Sequence, residues 1–532
     1  MSERIWLFDT TLRDGNQTQG VDFSVGDKTA IALELDKLGI DYVEGGWPGA
    51  NPTDDGFFAD PPSLPRAKLT AFGMTRRNGR SASNDPGLAV TLASKVETIC
   101  LVGKTHDYHA EVALGVSLDE NVAMIADSIG EVVRRGKEAI FDCEHFFDGY
   151  RANPDYALEC AKAAFDAGAR WVVLCDTNGG ALPDEVERVV STVLRHIPGD
   201  RLGIHTHNDT ENAVANTLAA VRAGVRHVQG TLNGLGERCG NANLVSIIPT
   251  LMLKMGFETG VTREGLKRLV HVSRALDERL NRPSNRHAAY VGASAFAHKA
   301  GLHVSAVEKD PACYEHVEPG LVGNRRLILV SDQSGRSNIL AQFREIGIEV
   351  GGDDDKVRRL VDIVKEREFQ GYAYDGAEAS FELLARRTLG TVPDYFRLNS
   401  FRVIDERRYN AAGQLVTMSE ATVKVEVGGE QVMTVAEGNG PVNALDFALR
   451  KALEPAYPAL VGVKLTDYKV RILTPHGGAD AGDDRECRPG GRALGHRRRL
   501  RQHHQRQLRG PARRAGAPAA QHRARRGLML RR

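Results

Sequence analysis

The chain has 532 residues, of which 42% are hydrophobic and 26% are charged, a composition typical of a globular protein large enough for two or three domains. No apolar run is long enough to span a bilayer, the N-terminus lacks the pattern of a signal peptide, and the seven cysteines include no C-x-x-C pair. These features argue against a membrane protein, a disulfide-stabilised domain and a thiolate zinc site. We therefore expect a cytoplasmic protein.

Eight short apolar segments, rich in β-branched residues, predict β-strands in the first 260 residues. They are I-W-L-F-D-T-T-L, Y-V-E-G-G, K-L-T-A-F-G, T-I-C-L-V-G, A-I-F-D-C-E-H-F, W-V-V-L-C-D-T, L-G-I-H-T-H-N-D and H-V-Q-G-T-L-N-G. Amphipathic helical segments lie between them, and several end at a glycine. This alternation predicts an α/β fold, a (β/α)8 TIM barrel. A doubly wound open sheet is the alternative, but no glycine-rich phosphate loop follows the first strand.

Polar side chains follow five of the predicted strands at their C-terminal ends. In a TIM barrel these ends meet at one face, so the polar residues predict one shared site. They are Arg13 and Asp14, Glu144 and His145, Asp176 to Asn178, His205 with His207 and Asp209, and Asn233 with the run G-E-R-C-G-N-A-N at 236–243.

The seventh predicted strand carries His205 and His207 with one residue between them. Alternate residues of a strand point to the same face, so both imidazoles are expected to face one point. An isolated pair of this kind is commonly structural. The polar residues at the neighbouring strand ends favour a metal site instead.

Two further regions follow the barrel, which we assign to residues 1–260. Residues 261–370 are predicted to form an irregular, mainly helical linker subdomain, and they contain His298 and His303. Residues 371–481 begin with a helix and continue with alternating strands, a glycine loop, another helix and a last strand. This order predicts a separate α+β domain.

Four motifs, in this order, resemble the 2-oxoacid–acetyl-CoA condensing synthases, the family of the isopropylmalate, homocitrate and citramalate synthases. They are D-T-T-L-R-D-G-N-Q (9–17), H-T-H-N-D (205–209), G-L-G-E-R-C-G-N (234–241) and F-A-H-K-A-G-L-H (296–303). Within the family, E-G-G-W-P-G-A-N-P (44–52), D-C-E-H-F-F-D-G-Y (142–150) and V-L-C-D-T-N-G-G (173–180) are most similar to the citramalate synthases.

This resemblance implies a transferase that condenses pyruvate with its co-substrate acetyl-CoA, giving (R)-citramalate and CoA for isoleucine biosynthesis. It also implies a homodimer, in which the linker subdomain reaches the partner's barrel. A 2-isopropylmalate or homocitrate synthase and an acyl-CoA lyase of the same barrel family are the alternatives. The long C-terminal extension argues against the lyase, and the bulky Trp47 favours a small oxoacid.

By the same resemblance, the metal ligands are Asp14, His205, His207 and Asn241. Two imidazoles with oxygen ligands and open positions suit Mg²⁺, Mn²⁺ or Zn²⁺. Such a metal acts as a Lewis acid on the ketone of the substrate. Arg13, a fixed cation next to Asp14, is expected to bind the substrate and hold the developing oxyanion.

The resemblance places the base that deprotonates acetyl-CoA at His303, assisted by Glu144 and Tyr314. Histidine suits this task because its pKa lies near neutrality. The hydroxyl of Thr177 is expected to bind the substrate carboxylate.

Three further residues are expected to support this site. Asn208 and Asp209 are expected to hydrogen-bond to the two histidines and so orient their rings. Glu44 is expected either to contact the substrate carboxylate or to join these two residues, and a buried carboxylate paired with Arg13 is the alternative.

The last segment, 482–532, contains sixteen arginines and three acidic residues, so it carries a net charge of +13 and the rest of the chain −12. It has no apolar period and is predicted to be disordered. A nucleic-acid-binding arm is one interpretation, since arginine attracts phosphate. We consider it the less favoured one, because the resemblance implies a regulatory domain of two similar halves, and the second half is missing here.

A shift of the reading frame would account for this missing half. When the codons from Leu494 to Arg514 are read one base later, permitted codons yield W-A-T-V-G-V-S-A-N-I-I-N-A-S-F-E-A-L-L-D-A. An alternating strand followed by an amphipathic helix results, which resembles the missing half. We therefore expect a one-base frameshift near residues 481–482, which leaves 371–481 as a partial regulatory domain with weak or absent control by isoleucine.

Overall fold

The computed structural model describes residues 3–329 and, beyond them, 336–345, 347, 354–369, 378–390, 392–409, 413, 415–471, 481–487 and 493–498. The chain divides into two compact units, of which the first comprises Met1–His298 and Ala306–Leu327 and the second Lys299–Ser305 and Ile328–Arg532. Among the described helices, none has the length and apolar content needed to cross a membrane.

The first unit is built on a closed barrel of eight parallel strands, which confirms the predicted TIM barrel and excludes the open sheet. Each strand pairs with the next in sequence, and the last pairs with the first, Trp6 opposite His227. Strands β1 to β8 are Trp6–Asp9, Tyr42–Gly46, Lys68–Met74, Thr98–Lys104, Glu138–Glu144, Trp171–Asp176, Leu202–Thr206 and His227–Gly230.

Helices connect these strands and pack against the outside of the barrel. Helices α1 to α11 are Val25–Leu38, Pro52–Ala59, Pro86–Ala93, Leu118–Arg134, Phe146–Ala152, Pro154–Asp166, Pro183–Val193, Ala213–Ala223, Leu244–Leu253, Arg263–Leu266 and Leu269–Arg279. Alternation along β6 shows how two cores arise. Val172 and Leu174 join the layer between strands and helices, whereas Trp171, Val173 and Cys175 fill the barrel interior.

Local sequence sets the ends of α1. Ser24 and Asp27 form a reciprocal capping box at its start, a feature that stabilises a helix by about 1 kcal/mol. At its end Gly39 has a φ of +103°, and a Cβ there would lie 2.5 Å from the carbonyl oxygen of Gly260. Only glycine fits this position, so the chain can turn directly into β2.

The segment 297–328 contains the two-residue strands β9 (Ala297–His298) and β10 (Leu327–Ile328) and the helix α12 (Gly301–Lys309). Further along, the second unit contains three helices with a small shared core that includes Phe343, Leu360 and Phe381. These helices are α13 (Arg336–Glu345), α14 (Asp354–Phe369) and α15 (Glu378–Thr388).

Two antiparallel sheets complete the second unit, in agreement with the predicted α+β character of this region. The first sheet contains β11 (Arg397–Tyr409), β12 (Leu415–Val427) and β13 (Glu430–Gly438) in that order. Helix α16 (Pro441–Leu453) packs on it through Ala444 and Ala448, which meet Val423 and Val425 of β12.

The second sheet contains β14 (Lys464–Arg471), β15 (Ala481–Cys487) and β16 (Ala493–Arg498). Residues 482–487 of β15 and all of β16 belong to the segment 482–532, which we expected to be disordered; in this part they pair as antiparallel strands instead, β15 with β14 and β16 with β15. Residues 499–532 lie outside the described residues, so the frameshift stays a prediction.

Candidate active site

The two histidines of the H-x-H motif meet at the C-terminal end of β7. His205 lies within the strand, and His207 directly follows it. Their ring centroids are 5.2 Å apart, and their Nε2 atoms lie 3.3 Å from each other. Both side chains therefore face a common point, as the alternation of the strand predicts.

Asp14 and Asn241 join the histidines at this point. Asn241 Nδ2 donates to Asp14 Oδ2 over 3.0 Å and lies 3.2 Å from His205 Nε2. Asp14 Oδ2 is 3.4 Å from the same imidazole nitrogen. All four side chains are buried. The four residues expected from the resemblance to bind a metal thus form one cluster, drawn from three separate parts of the chain.

A tight loop after β8 carries Asn241 into the cluster. The backbone N–H of Asn208 donates to the carbonyl of Gly240 over 2.8 Å and so anchors the loop to the end of β7. A Cβ at Gly240, where φ is +92°, would lie 2.1 Å from the Gly234 oxygen, and one at Gly236 would lie 1.8 Å from Asn241 Oδ1. Glycine is therefore required at Gly240 for the loop to approach, and a side chain at Gly236 would displace the Asn241 amide.

The electrostatics hold these groups in the forms that bind metals. Burial raises the pKa of Asp14, but the charges of Arg13, His205 and His207 outweigh it and bring the pKa below its usual range. Burial, together with repulsion from His205, lowers the pKa of His207 to about 3. At neutral pH Asp14 is therefore a carboxylate and His207 a neutral imidazole, as metal ligation requires.

The cluster fits a divalent cation. Asn241 Oδ1 is buried and has no hydrogen-bond partner among the described residues, a condition that costs roughly 1–3 kcal/mol. The Asn241 amide presents its nitrogen to Asp14, and a cation would require its oxygen. A half-turn of the amide exchanges the two ends with little change of shape.

Arg13 is held rigidly beside this cluster. Its Nε donates to Glu44 Oε2 over 2.7 Å, and its Nη1 donates to Asp14. Its guanidinium lies 4.0 Å from the centre of the Phe72 ring, which in turn packs edge-on against Trp47 at 5.6 Å. A donor that is fixed in this way needs no reorganisation to stabilise a developing negative charge.

Three carboxyl groups face this single guanidinium. Burial by itself would lower the pKa of Arg13, but the charges of Asp14, Glu44 and Asp142, in that order, outweigh it and raise the pKa. Burial raises the pKa of Glu44 to about 8; Arg13 opposes this rise, while Asp142 and Asp14 add to it. A second cation would relieve the repulsion among these acids. The 2.7 Å contact with Arg13 Nε gives Glu44 the buried pairing that was the alternative to a role at the substrate or at the histidines.

Sequence reasoning missed Gln229, the residue that contacts the inner histidine. Gln229 Oε1 lies 2.8 Å from His205 Nδ1, and Gln229 Nε2 donates to Asp142 Oδ1 over 2.9 Å. One pattern could have revealed it, because H-V-Q-G places a polar amide within a fully buried strand.

The residues expected to orient the histidines have other partners. Asp209 accepts from Arg238 Nε over 2.7 Å, and Asn208 Oδ1 accepts from the backbone N–H of Ala213 over 3.2 Å. Among the described contacts, the hydrogen bond to His205 Nδ1 comes from Gln229 and not from these two residues.

Thr177 lies directly after β6, at the same face of the barrel. Its Oγ1 accepts from the backbone N–H of His145 over 2.8 Å, and its carbonyl accepts from Arg238 Nη2 over 2.7 Å. Among the contacts described for this part of the chain, none uses the hydroxyl proton of Thr177. That proton is available to a substrate carboxylate.

The three residues expected to deprotonate acetyl-CoA belong to different parts of the chain. Glu144 ends β5 and forms an ion pair with Lys104. Tyr314 belongs to the first unit and is 45% exposed, whereas His303 lies on α12 in the second unit and is also exposed. Their joint action stays a prediction.

Comparisons with known proteins place this geometry in a family. The HMGL-like family model matches residues 4–274, the homocitrate synthase post-HMGL domain-like model matches 290–371, and the LeuA allosteric (dimerisation) domain model matches 375–492. The first of these covers the barrel with all four residues of the cluster.

Individual relatives are similar along most of the chain. An (R)-citramalate synthase of Geobacter sulfurreducens is 52% identical over 469 residues, which is 88% of each chain. One of Streptomyces coelicolor is 51% identical over 89% of this chain and 88% of its own. A 2-isopropylmalate synthase of Methanocaldococcus jannaschii is 31% identical over 90% of this chain and 87% of its own. The chain therefore belongs to the HMGL-like family and, within it, to the (R)-citramalate synthases.

Proposed function

We propose that this protein condenses pyruvate with acetyl-CoA and releases (R)-citramalate and CoA, as a transferase of amino-acid biosynthesis. One observation carries the proposal: Asp14, His205, His207 and Asn241 converge beside Arg13 at the C-terminal face of the barrel. The similarity to (R)-citramalate synthases at about half identity supports pyruvate as the oxoacid.

Asp14, His205, His207 and the amide oxygen of Asn241 would hold Mg²⁺, Mn²⁺ or Zn²⁺. When bound, such an ion polarises the ketone of the oxoacid as a Lewis acid. The oxygen-rich ligand set, with no cysteine, separates this site from closed structural zinc sites.

Two side chains of the barrel orient pyruvate. The Thr177 hydroxyl donates its free proton to the substrate carboxylate, since its oxygen already accepts from His145. The Arg13 guanidinium donates to the ketone oxygen and stabilises the negative charge that develops there as the carbon–carbon bond forms. Its pairing with Glu44 and its contact with Phe72 keep it in place during the reaction.

The methyl group of acetyl-CoA loses a proton to His303, which Glu144 and Tyr314 assist. The protein acts as a homodimer in which the linker subdomain of one subunit completes the barrel of the other. The match of residues 375–492 to a dimerisation domain supports this assembly. Hydrolysis of the thioester then makes the condensation irreversible.

The test is an assay of CoA release in which the purified enzyme receives pyruvate, 2-oxoisovalerate or 2-oxoglutarate at equal concentration. Pyruvate is expected to give the highest kcat/KM, and chiral chromatography is expected to identify (R)-citramalate. A preference for 2-oxoisovalerate would instead assign a 2-isopropylmalate synthase. Release of CoA without any oxoacid, measured in parallel, controls for simple thioester hydrolysis.

A further inference from the structure

A continuous chain of hydrogen bonds crosses the barrel interior beneath the candidate metal site. Asp142 on β5 accepts from Gln229 Nε2 on β8, and Gln229 Oε1 lies 2.8 Å from Nδ1 of His205 on β7. Gln229 has no exposed surface, and Asp142 and His205 are 3% and 5% exposed. Because all three groups are buried, each depends on the others for its hydrogen bonds and not on bulk water.

The chemistry of this chain fixes the orientation of each group. Asp142 Oδ1 accepts from Gln229 Nε2 and so forms the acceptor at one end of the chain. Gln229 must then turn its NH₂ toward Asp142 and its carbonyl oxygen toward His205. An amide oxygen can only accept, so His205 carries its proton on Nδ1 and keeps the lone pair on Nε2. That nitrogen is the one that faces Asp14, His207 and Asn241.

We propose that Gln229 is a positioning residue for the metal site. Asp142 orients the Gln229 amide, and this amide fixes the tautomer and ring orientation of His205. This inference rests on the ligand role of His205 in the proposed function. The position of Gln229 is set by the backbone of the barrel, because it lies opposite Phe8 in the register that closes the sheet. Partners of this kind typically contribute 10–100-fold to metal affinity.

Two variants test the proposal by different routes. Gln229→Leu keeps the approximate volume but removes both hydrogen bonds. The double variant Asp142→Asn with Gln229→Glu exchanges the amide and the carboxylate between the two positions. In that exchange the amide now at position 142 donates to the carboxylate now at position 229. This carboxylate still accepts from His205 Nδ1, so the tautomer of His205 is preserved.

The experiment measures the affinity of the substrate-free protein for Mn²⁺. The electron paramagnetic resonance signal of the free ion reports how much Mn²⁺ stays unbound. Gln229→Leu is expected to bind Mn²⁺ roughly 10–100-fold more weakly than the wild type. The exchanged pair is expected to recover most of that loss. Thermal unfolding of the metal-free proteins shows which variants are folded, and Gln229→Met replaces Gln229→Leu if the latter is not.

Wild-type Mn²⁺ affinity in a folded Gln229→Leu or Gln229→Met variant would overturn the proposal. The proposal would also be overturned if the exchanged pair bound Mn²⁺ as weakly as the leucine variant. The exchanged pair restores the hydrogen bond to His205, so this result would show that the hydrogen bond does not set the metal affinity. The readout contains no oxoacid and no acetyl-CoA. Failure of the wild type to condense pyruvate would therefore reject the proposed function without affecting this result.

Discussion

The side-chain amide of Asn241 donates a 3.0 Å hydrogen bond to Asp14 Oδ2, although 227 positions separate the two residues in the chain. The closure of the barrel brings the turn after β1 next to the loop after β8, and so makes this contact possible. A ligand set assembled in this way depends on the charge of Asp14 as well as on its shape.

We expect Asp14→Asn to lose metal binding while the fold is retained. The substitution keeps the size of the side chain but removes the negative charge that the cation requires. Mn²⁺ affinity should fall at least about tenfold, the lower limit for residues that merely support ligands. Prolonged chelation should abolish CoA release by the wild type, and added Mn²⁺ should restore it. The exposed Asp22→Asn is the matched control, and equal Mn²⁺ binding by both variants would contradict the ligand role.

Arg13→Lys is expected to reduce kcat for condensation by roughly 10²–10³, the typical effect of losing one donor to an oxyanion. Lysine keeps the charge but lacks the planar fork that contacts Glu44, Asp14 and the face of Phe72 at the same time. Steady-state kinetics with pyruvate measure the effect, and the exposed Arg188→Lys serves as control. An unchanged kcat would show that Arg13 does not stabilise the transition state.

Trp47→Ala is expected to shift selectivity toward larger oxoacids. Trp47 packs against Phe72, which lies beneath Arg13, so its removal opens space one ring away from the proposed ketone-binding group. A change of one or two methyl groups in a pocket alters selectivity by roughly 10–200-fold. The ratio of kcat/KM for 2-oxoisovalerate to that for pyruvate should rise within this range. An unchanged ratio, equal to that of the exposed control Tyr108→Ala, would place the selectivity elsewhere.

His227, which is not part of the metal site, makes the stability of the barrel depend on pH. It lies at the start of β8, stacked on Trp171 at 4.8 Å, and burial lowers its pKa to about 3. In the unfolded chain its pKa returns to about 6.5, so the unfolded state takes up a proton first as the pH falls. Stability contributed by the neutral ring is therefore present above about pH 6.5 and is lost as the pH falls toward about 3.

Between about pH 7.5 and 5.5 this linkage amounts to about 1.4 kcal/mol of unfolding free energy. His227→Phe should remove that part of the acid sensitivity, because phenylalanine keeps an aromatic ring and does not titrate. Urea unfolding at the two pH values measures the difference. His196→Gln, which replaces an exposed histidine, should leave the wild-type loss unchanged. A variant at position 227 with the full wild-type loss would show that other groups carry the effect.

Sequence patterns predicted the eight barrel strands well, because their apolar runs are separated by clear helical segments. They placed the end of β1 too late, however. The predicted strand runs to Leu12, whereas β1 ends at Asp9, whose carboxylate accepts from the N–H and the hydroxyl of Thr11, both over 2.9 Å. This local turn competes with strand pairing and leads the chain to Arg13 and Asp14.

Contacts that depend on barrel closure were beyond sequence reasoning. The bond between Gln229 and His205 requires the register of β7 against β8, which no local pattern contains. Family motifs, in contrast, singled out Asp14, His205, His207 and Asn241 as one set without knowledge of the distances between them. Proximity in the sequence suggested Asp209 as a partner of the histidines. In the structure Asp209 instead accepts two charge-assisted hydrogen bonds from Arg238, which are stronger than bonds from a neutral imidazole.

On the frameshift hypothesis, the reading frame near residues 481–482 decides whether this enzyme responds to isoleucine. We expect resequencing of the gene to reveal a single-base insertion or deletion there relative to close relatives. A coding sequence without such a change would refute the frameshift. The chemistry at the barrel does not depend on this outcome, because the four clustered residues and Arg13 all precede residue 242.

The same hypothesis predicts how the two forms of the protein respond to isoleucine. The chain as it stands should condense pyruvate at the same rate with and without isoleucine, since on this hypothesis the arginine-rich segment replaces half of the regulatory domain. A protein expressed from the corrected frame should be inhibited under identical conditions and serves as the matched control. Strong inhibition of the uncorrected chain would show that residues 371–481 bind the effector on their own, and the proposed loss of control would then be wrong.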